Sequence, residues 1–114
     1  MSRSVLVRIL LCCCLAFGAW AQIFTANITG IVSDPTGGAI VNAQVRMVNV
    51  ATGEERTAST DESGRYAVSQ LAPGKYELSV TASGFKRFVA SGIELVTNQS
   101  AQYDAHLNVG EASQ

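Results

Sequence analysis

The chain is predicted to fold as an all-β sandwich of about seven short strands. Three observations predict this. Apolar and polar residues alternate with a period of two along most of the sequence. Gly, Pro, Asn and Asp punctuate those runs at short intervals. No segment carries a helical apolar stripe of useful length.

The first residues stand apart from that pattern. "MSRSVLVRILLCCCLAFGAWAQ" opens with Arg3 and Arg8, continues in an apolar run from Ile9 to Phe17, and ends in the small residues Ala19 and Ala21. That is the layout of an export signal cleaved after Ala21. A membrane-spanning helix needs ~20 apolar residues, and this run is shorter. Cys12 follows Leu11 in mid-run rather than a small residue, which argues against a lipoprotein signal. Residues 1–21 are therefore read as signal peptide, 22–110 as one β-sandwich domain, and 111–114 as the start of a linker or tail. Removal of the signal takes away Cys12, Cys13, Cys14 and Trp20, and six Lys/Arg then face nine Asp/Glu. An exported domain without cysteine has to be held by packing rather than by disulfides.

The strands follow in order. "ANITGIVSD" and "NAQVRMVNV" are the first two, with Ile31, Val48 and Val50 out of phase with Val32, Val45 and Met47. "EERTASTD" is polar and Thr-rich, as suits an edge. "RYAVS" places Tyr66 and Val68 on one face. "KYELSVTA" sets Tyr76, Leu78, Val80 and Ala82 against Lys75, Glu77, Ser79 and Thr81. "FKRFVASGIELV" reads as one strand interrupted near Gly92. "SAQYDAHLNV" closes the domain, with Ala101, Tyr103, Ala105 and Leu107 on its apolar face. The expected core is Val32, Val45, Tyr66, Leu71, Tyr76, Leu78, Val80, Tyr103 and Leu107. Tyr66 and Tyr76 are expected to meet on one face across the turn between them.

Turn chemistry separates these runs. "SDPTGG" offers Asp34, Pro35 and Gly37, and "VATGEE" sets Gly53 in a hairpin. "TDESGRY" offers Asp61 and Gly64, "LAPGKY" Pro73 and Gly74, and "TASGFK" Gly84. Together with Gly30 these are the predicted structural turn residues.

Chemistry is sparse. His106 is the only histidine and the mature chain has no cysteine, so His/Cys zinc sites and Cys/His nucleophile pairs have no residues to build them. His106 falls on the polar face of the last strand and reads as a surface residue. Asp61, Glu62 and Ser63 cluster oxygens without the calcium-loop spacing, so Asp61 is assigned to a turn. Lys86-Arg87 is too small a basic patch for nucleic acid. No catalytic, cofactor or metal residue is predicted. Sugar stacking on an exposed aromatic is the rival reading, with glycan as the alternative ligand. The candidates are Phe24, Phe85, Phe88, Tyr66, Tyr76 and Tyr103, of which the three tyrosines follow the apolar phase of their strands and are assigned to the core. The sequons at Asn27 and Asn98 matter only in a eukaryotic secretory host.

The run "ITGIVSDPTGGAIVNAQVRMVNVATGEERTASTDESGRYAVSQLAPGKYELSVTASGFK" resembles the carboxypeptidase regulatory-like domain. Its matching points are Gly30, Val32, Asp34, Ala43, Val45, Asp61, Gly64, Tyr66, Leu71, Pro73, Gly74, Tyr76, Leu78, Val80 and Gly84. The resemblance implies a seven-stranded, transthyretin-like Greek-key sandwich without catalysis of its own, because the family's zinc chemistry belongs to a neighbouring domain. Val41-Asn42 stands where the family often has Pro-Gly, and Asn42 tolerates the left-handed geometry such a turn needs. The signal followed by this domain and "SGFKRFVASGIELVTNQSAQYDAHLNVGE" is similar to the amino-terminal extension of TonB-dependent outer-membrane receptors. That likeness implies a periplasmic or outer-membrane location in a Gram-negative bacterium. It also implies partners among adjacent receptor domains or periplasmic and outer-membrane proteins, with no membrane span in the mature chain.

Overall fold

A computed structural model describes residues 24–110, and the predicted signal peptide and the tail from 111 to 114 lie outside the described residues. The described residues form eight strands and no helix. They are β1 (Ala26–Ser33), β2 (Gln44–Asn49), β3 (Glu55–Ser59), β4 (Arg65–Leu71), β5 (Gly74–Thr81), β6 (Phe88–Leu95), β7 (Ser100–Gln102) and β8 (Ala105–His106). One sheet runs β4-β1-β7, with β8 also on β1, and the other runs β3-β2-β5-β6. Alternation explains the layering: Ala26, Ile28 and Val32 of β1 face inward while Asn27, Thr29 and Ile31 face out. The out-of-phase residues obey the same rule, with Ile31 37% and Val50 65% exposed.

The eighth strand comes from a break in the closing segment, which was expected to be continuous. β7 and β8 both run parallel to β1, pairing Asn27–Thr29 with Ser100–Gln102 and then Val32–Ser33 with Ala105–His106. Between them the ladder is replaced by a side chain: the Ile31 amide donates to Asp104 Oδ1 at 2.9 Å. Tyr103 still donates its amide to the Thr29 carbonyl.

That break is tied to Gly30 and Tyr66. Gly30 lies opposite Tyr66 in the β1–β4 register, inside the strand rather than in a turn, which corrects its predicted role. A Cβ at Gly30 would collide with the Tyr103 carbonyl and meet Tyr66 Cε1 at 2.7 Å. The missing side chain lets the Tyr66 ring cross β1 on the core side, where its hydroxyl donates to the Tyr103 carbonyl at 2.5 Å. Burial, then the Asp104 carboxylate, push the Tyr66 phenol above its usual range.

The core contains every predicted member except Tyr103, with Ile28, Met47, Ala43 and Leu95 added. Tyr103 is half-buried, packed on the core margin with its ring centroid 6.5 Å from that of Phe88. Tyr66 and Tyr76 do not share a sheet: β4 and β5 belong to opposite layers, so the Leu71–Gly74 connection is a crossover, not a hairpin. The Tyr76 hydroxyl donates instead to the Ala72 carbonyl, at 2.7 Å, and pins that crossover at Pro73. Each fully buried Leu, Ile or Val contributes roughly 1.5–3 kcal/mol.

The turns are built as their residues predict. Asp34 Oδ1 accepts from the Thr36 amide, the Thr36 hydroxyl and the Gly38 amide, at 2.7–2.9 Å, closing a turn that contains Gly37. The Thr36 hydroxyl first, then the Gly38 amide, hold the Asp34 carboxyl below its ordinary 3.8. Asp61 Oδ1 accepts from the Ser63 and Arg65 amides, both at 2.9 Å. Gly64 has φ +75°, and a Cβ there would stand 2.7 Å from the Val32 carbonyl and 3.0 Å from Ala39 Cβ. Gly74 opens β5 and Gly84 sits in the turn that returns the Phe85 amide to the Ala82 carbonyl. Asn42 takes the left-handed conformation expected of it, φ 60°.

Edges are blunted, each by different means. β3 is short and polar, as predicted. The register of β4 slips near Gln70, which has φ 57°, and the Arg56 guanidinium of β3 reaches across to the freed Ser69 and Gln70 carbonyls at 3.0 and 3.1 Å. β6 is continuous through Gly92, which accommodates a bulge between the Ala90 and Ile93 pairings.

Three outcomes follow for stability. Gly30→Ala should destabilise by at least about 3 kcal/mol because backbone occupies the space, whereas Tyr66→Phe should cost about 1–3 kcal/mol by orphaning the Tyr103 carbonyl; denaturant midpoints by circular dichroism would check the ranking, and equal effects would refute it. Gly64→Val should cost more than about 1 kcal/mol from strain at positive φ combined with the clash at Val32, read as a lowered Tm. The unfolded state takes up the Asp34 proton at higher pH than the folded state. Asp34 thus stabilises the fold above its ordinary value, and that contribution is lost as pH falls through the depressed folded value. Between about pH 5 and pH 3 the wild-type midpoint should fall more steeply than that of Asp34→Asn.

Candidate functional site

Most residues singled out from the sequence serve the backbone. Asp34, Asp61 and Gly64 shape the end of the sandwich where β1 meets the Ala39–Ala43 connection. Pro73 and Gly74 shape the opposite end, and Gly84 turns the chain into β6. Asp61 spends its Oδ1 on backbone amides, which accounts for the oxygen-rich cluster. Among the described residues no group of three His, Cys, Asp or Glu is placed to hold a metal. His106 is exposed, as expected, and its Nδ1 lies 2.8 Å from the Ser33 Oγ of the adjacent strand. Ser33 itself is only 7% exposed, so this pair ties β8 to β1 rather than presenting a hydroxyl to solvent.

The open feature is on the outer face of the β3-β2-β5-β6 sheet. Gln44 and Arg46 of β2 register with Thr81 and Ser79 of β5, and Ser79 registers in turn with Val89 of β6. The short side chains of Ser79 and Thr81 form a floor. Gln44 and Arg46 wall it on one side and Arg87, just ahead of β6, on the other, enclosing a trough of about 330 Å³. A second depression of about 410 Å³ shares Gln44 and Thr81 and extends the trough past Asn42, Ala82 and Ser83. Ser79 is 5% exposed because the long arginines stand around it.

Electrostatics set the arginines apart. Arg46 Nη2 pairs with Glu55 Oε1, a bond between half-exposed side chains. That hydrogen bond, then the charges of Glu55 and Glu77, raise the Arg46 guanidinium above its usual range, and the same bond holds the Glu55 carboxyl below its own. Arg87 has no carboxylate within ion-pairing distance among the described residues.

A smaller groove of about 220 Å³ lies on the other sheet, lined by Thr29, Gly30, Ile31, Arg65 and Gln102, above the gap between β7 and β8. Phe85 and Phe88 are partly buried against the core. Phe24 is 51% exposed.

The trough was not identified from the sequence. Gln44, Arg46, Ser79 and Thr81 occupy the polar phase of their strands, a signal that marks any solvent-facing side. That the two strands are neighbours, and that Arg87 overhangs them, is a matter of pairing. Thr60 was missed in the same way. It is buried, donates its hydroxyl to the Ile40 carbonyl at 2.6 Å and accepts from the Ala43 amide at 2.9 Å.

Comparison with solved structures places the fold among β-sandwiches. Hydroxyquinol 1,2-dioxygenase from Pseudomonas putida DLL-E4 superposes with a TM-score of 0.63 at 12% identity, over 81% of this chain and 59% of that one. A "putative carbohydrate binding protein" from Bacteroides uniformis ATCC 8492 gives 0.59 at 17%, over 73% and 41%. A type II cohesin–X-dockerin complex from Acetivibrio cellulolyticus gives 0.59 at 16%, over 78% and 61%. This chain thus spans between 41% and 61% of the length of those three, and the likeness is one of fold. By sequence, no curated protein matches. The carboxypeptidase regulatory-like domain model matches residues 27–108, from the second residue of β1 to just beyond β8, and the chain belongs to that family.

Proposed function

We propose that this chain is a non-catalytic exported module that acts through protein contacts, as the periplasmic amino-terminal extension of a TonB-dependent outer-membrane transporter. The observation that carries the reading is the pairing of an export-signal pattern in residues 1–21 with a regulatory-like domain that begins at residue 27. The family matched is a regulatory, binding-type sandwich and not a catalytic domain. Supporting it, apolar side chains are exposed at the end of the sandwich where the chain enters β1. Phe24, Val50 and Val96 are 51%, 65% and 55% exposed, on loops that the Thr25–Asn98 and Val50–Lys75 hydrogen bonds hold at that end. Such apolar groups suit contact with another domain.

Two measurements bear on this reading. The gene downstream of the Gln114 codon should continue in frame into a plug and barrel, and a stop codon there would overturn the receptor assignment. In a Gram-negative host the processed protein should fractionate with the periplasm or outer membrane, and retention in the cytoplasm would contradict export.

A second reading, a stand-alone carbohydrate-binding module, is favoured by the polar trough across β2 and β5 and by the neighbour whose name denotes carbohydrate binding. It needs no receptor context.

A further inference from the structure

We propose that the trough across β2, β5 and the start of β6 is a binding site for an acidic oligosaccharide, a sugar chain bearing carboxylates. The proposal rests on the carbohydrate-binding reading and gives it a location and a ligand class.

Charge is the first argument. Gln44, Arg46, Ser79, Thr81 and Arg87 line the trough, and its extension adds Asn42 and Ser83; no carboxylate lines either part. Glu55 and Glu77 act on Arg46 from its flank, which fixes that guanidinium in place, while Arg87 keeps its charge uncompensated by any ion pair among the described residues. A guanidinium accepts a carboxylate in a planar, two-pronged arrangement, so an anionic group seated between Arg87 and the Ser79–Thr81 floor is matched in shape and sign.

The second argument distinguishes a sugar from a peptide. β2 and β5 are interior strands, with their backbone groups committed to ladders on both sides. An extended peptide is commonly held by main-chain bonds at a free sheet edge, whereas the floor of this trough is made by interior strands. The trough offers side-chain donors instead, in rows. Gln44 and Arg46 stand about 7 Å apart along β2, Ser79 and Thr81 repeat the step on β5 about 5 Å to the side, and Asn42 adds an amide from the turn that precedes β2. Planar amides, guanidinium groups and hydroxyls at such intervals can bond the hydroxyls and acid groups of successive sugars. The volumes fall within the size range of small-ligand sites.

Titration calorimetry of the protein with oligogalacturonate, a neutral galacto-oligosaccharide and polyglutamate tests this. Oligogalacturonate should bind at least about tenfold more tightly than the other two, and more weakly as salt rises. Arg87→Gln and Thr81→Tyr should each weaken it about tenfold or more, while Arg65→Gln on the opposite sheet should leave it unchanged. Circular dichroism of each variant would confirm that the fold is kept. Equal binding of polyglutamate would overturn the sugar assignment. Oligogalacturonate binding untouched by both trough substitutions would overturn the site. Binding of the neutral sugar alone, unaffected by those substitutions, would sink this proposal but leave the carbohydrate-binding reading standing, and binding of no sugar would end both.

Discussion

The hydrogen bond from the Tyr66 hydroxyl to the Tyr103 carbonyl, made across the empty position at Gly30, ties β4, the central β1 and the closing β7–β8 segment of one sheet together. Tyr66 belongs to β4, Gly30 to the central β1, and Tyr103 to the segment between β7 and β8. A side chain at residue 30 would push the ring off β1 and close the gap into which the Tyr103 carbonyl points. The ring in turn fills the core space that an inward-facing residue of β1 would otherwise occupy. The parallel closing segment has only five paired positions on β1, and this link and the Asp104 carboxylate on the Ile31 amide add to its attachment.

A common device runs through the rest of the molecule. At several points where a ladder stops, a polar side chain takes the place of the missing backbone partner. Asp104 does so between β7 and β8, Thr60 beneath the Ile40–Ala43 connection, Arg56 at the slipped end of β4, and Asn49 on the amides of Ala51 and Thr52. Among the described residues no buried side-chain nitrogen or oxygen is left without a partner. A small domain without disulfides tolerates few unpaired buried groups, since each costs about 1–3 kcal/mol. The polar residues of the interior and the turns are thereby committed to structure, and the faces and ends of the sandwich are left for contacts.

Folds of this kind recur in proteins as different as a dioxygenase and a cohesin–dockerin complex, so the architecture does not select an activity. The dioxygenase and cohesin–dockerin neighbours share the arrangement of layers at 12% and 16% identity. What differs between such proteins is the dressing of the scaffold. Here that dressing is an apolar end around Phe24, Val50 and Val96, and an arginine-walled trough on the β2–β5 face. The two surfaces are separate, so a partner domain at one need not compete with a ligand at the other.

Alternation with its turn punctuation determined the sheet class, the inward set except Tyr103, and the polar edge at β3, because the two-residue period assigns each side chain to a face before any pairing is known. Asp34, Asp61, Gly64 and Asn42 were legible for a similar reason: their turn chemistry acts within a few residues. Pairing between distant strands lay beyond such local signals. Placement of Tyr66 and Tyr76 in opposite layers, Gly30 as a passage rather than a turn, the break at Tyr103–Asp104, and the meeting of Arg46, Ser79 and Arg87 all depend on which strands become neighbours. That choice was made by the tertiary structure, through packing between residues dozens of positions apart.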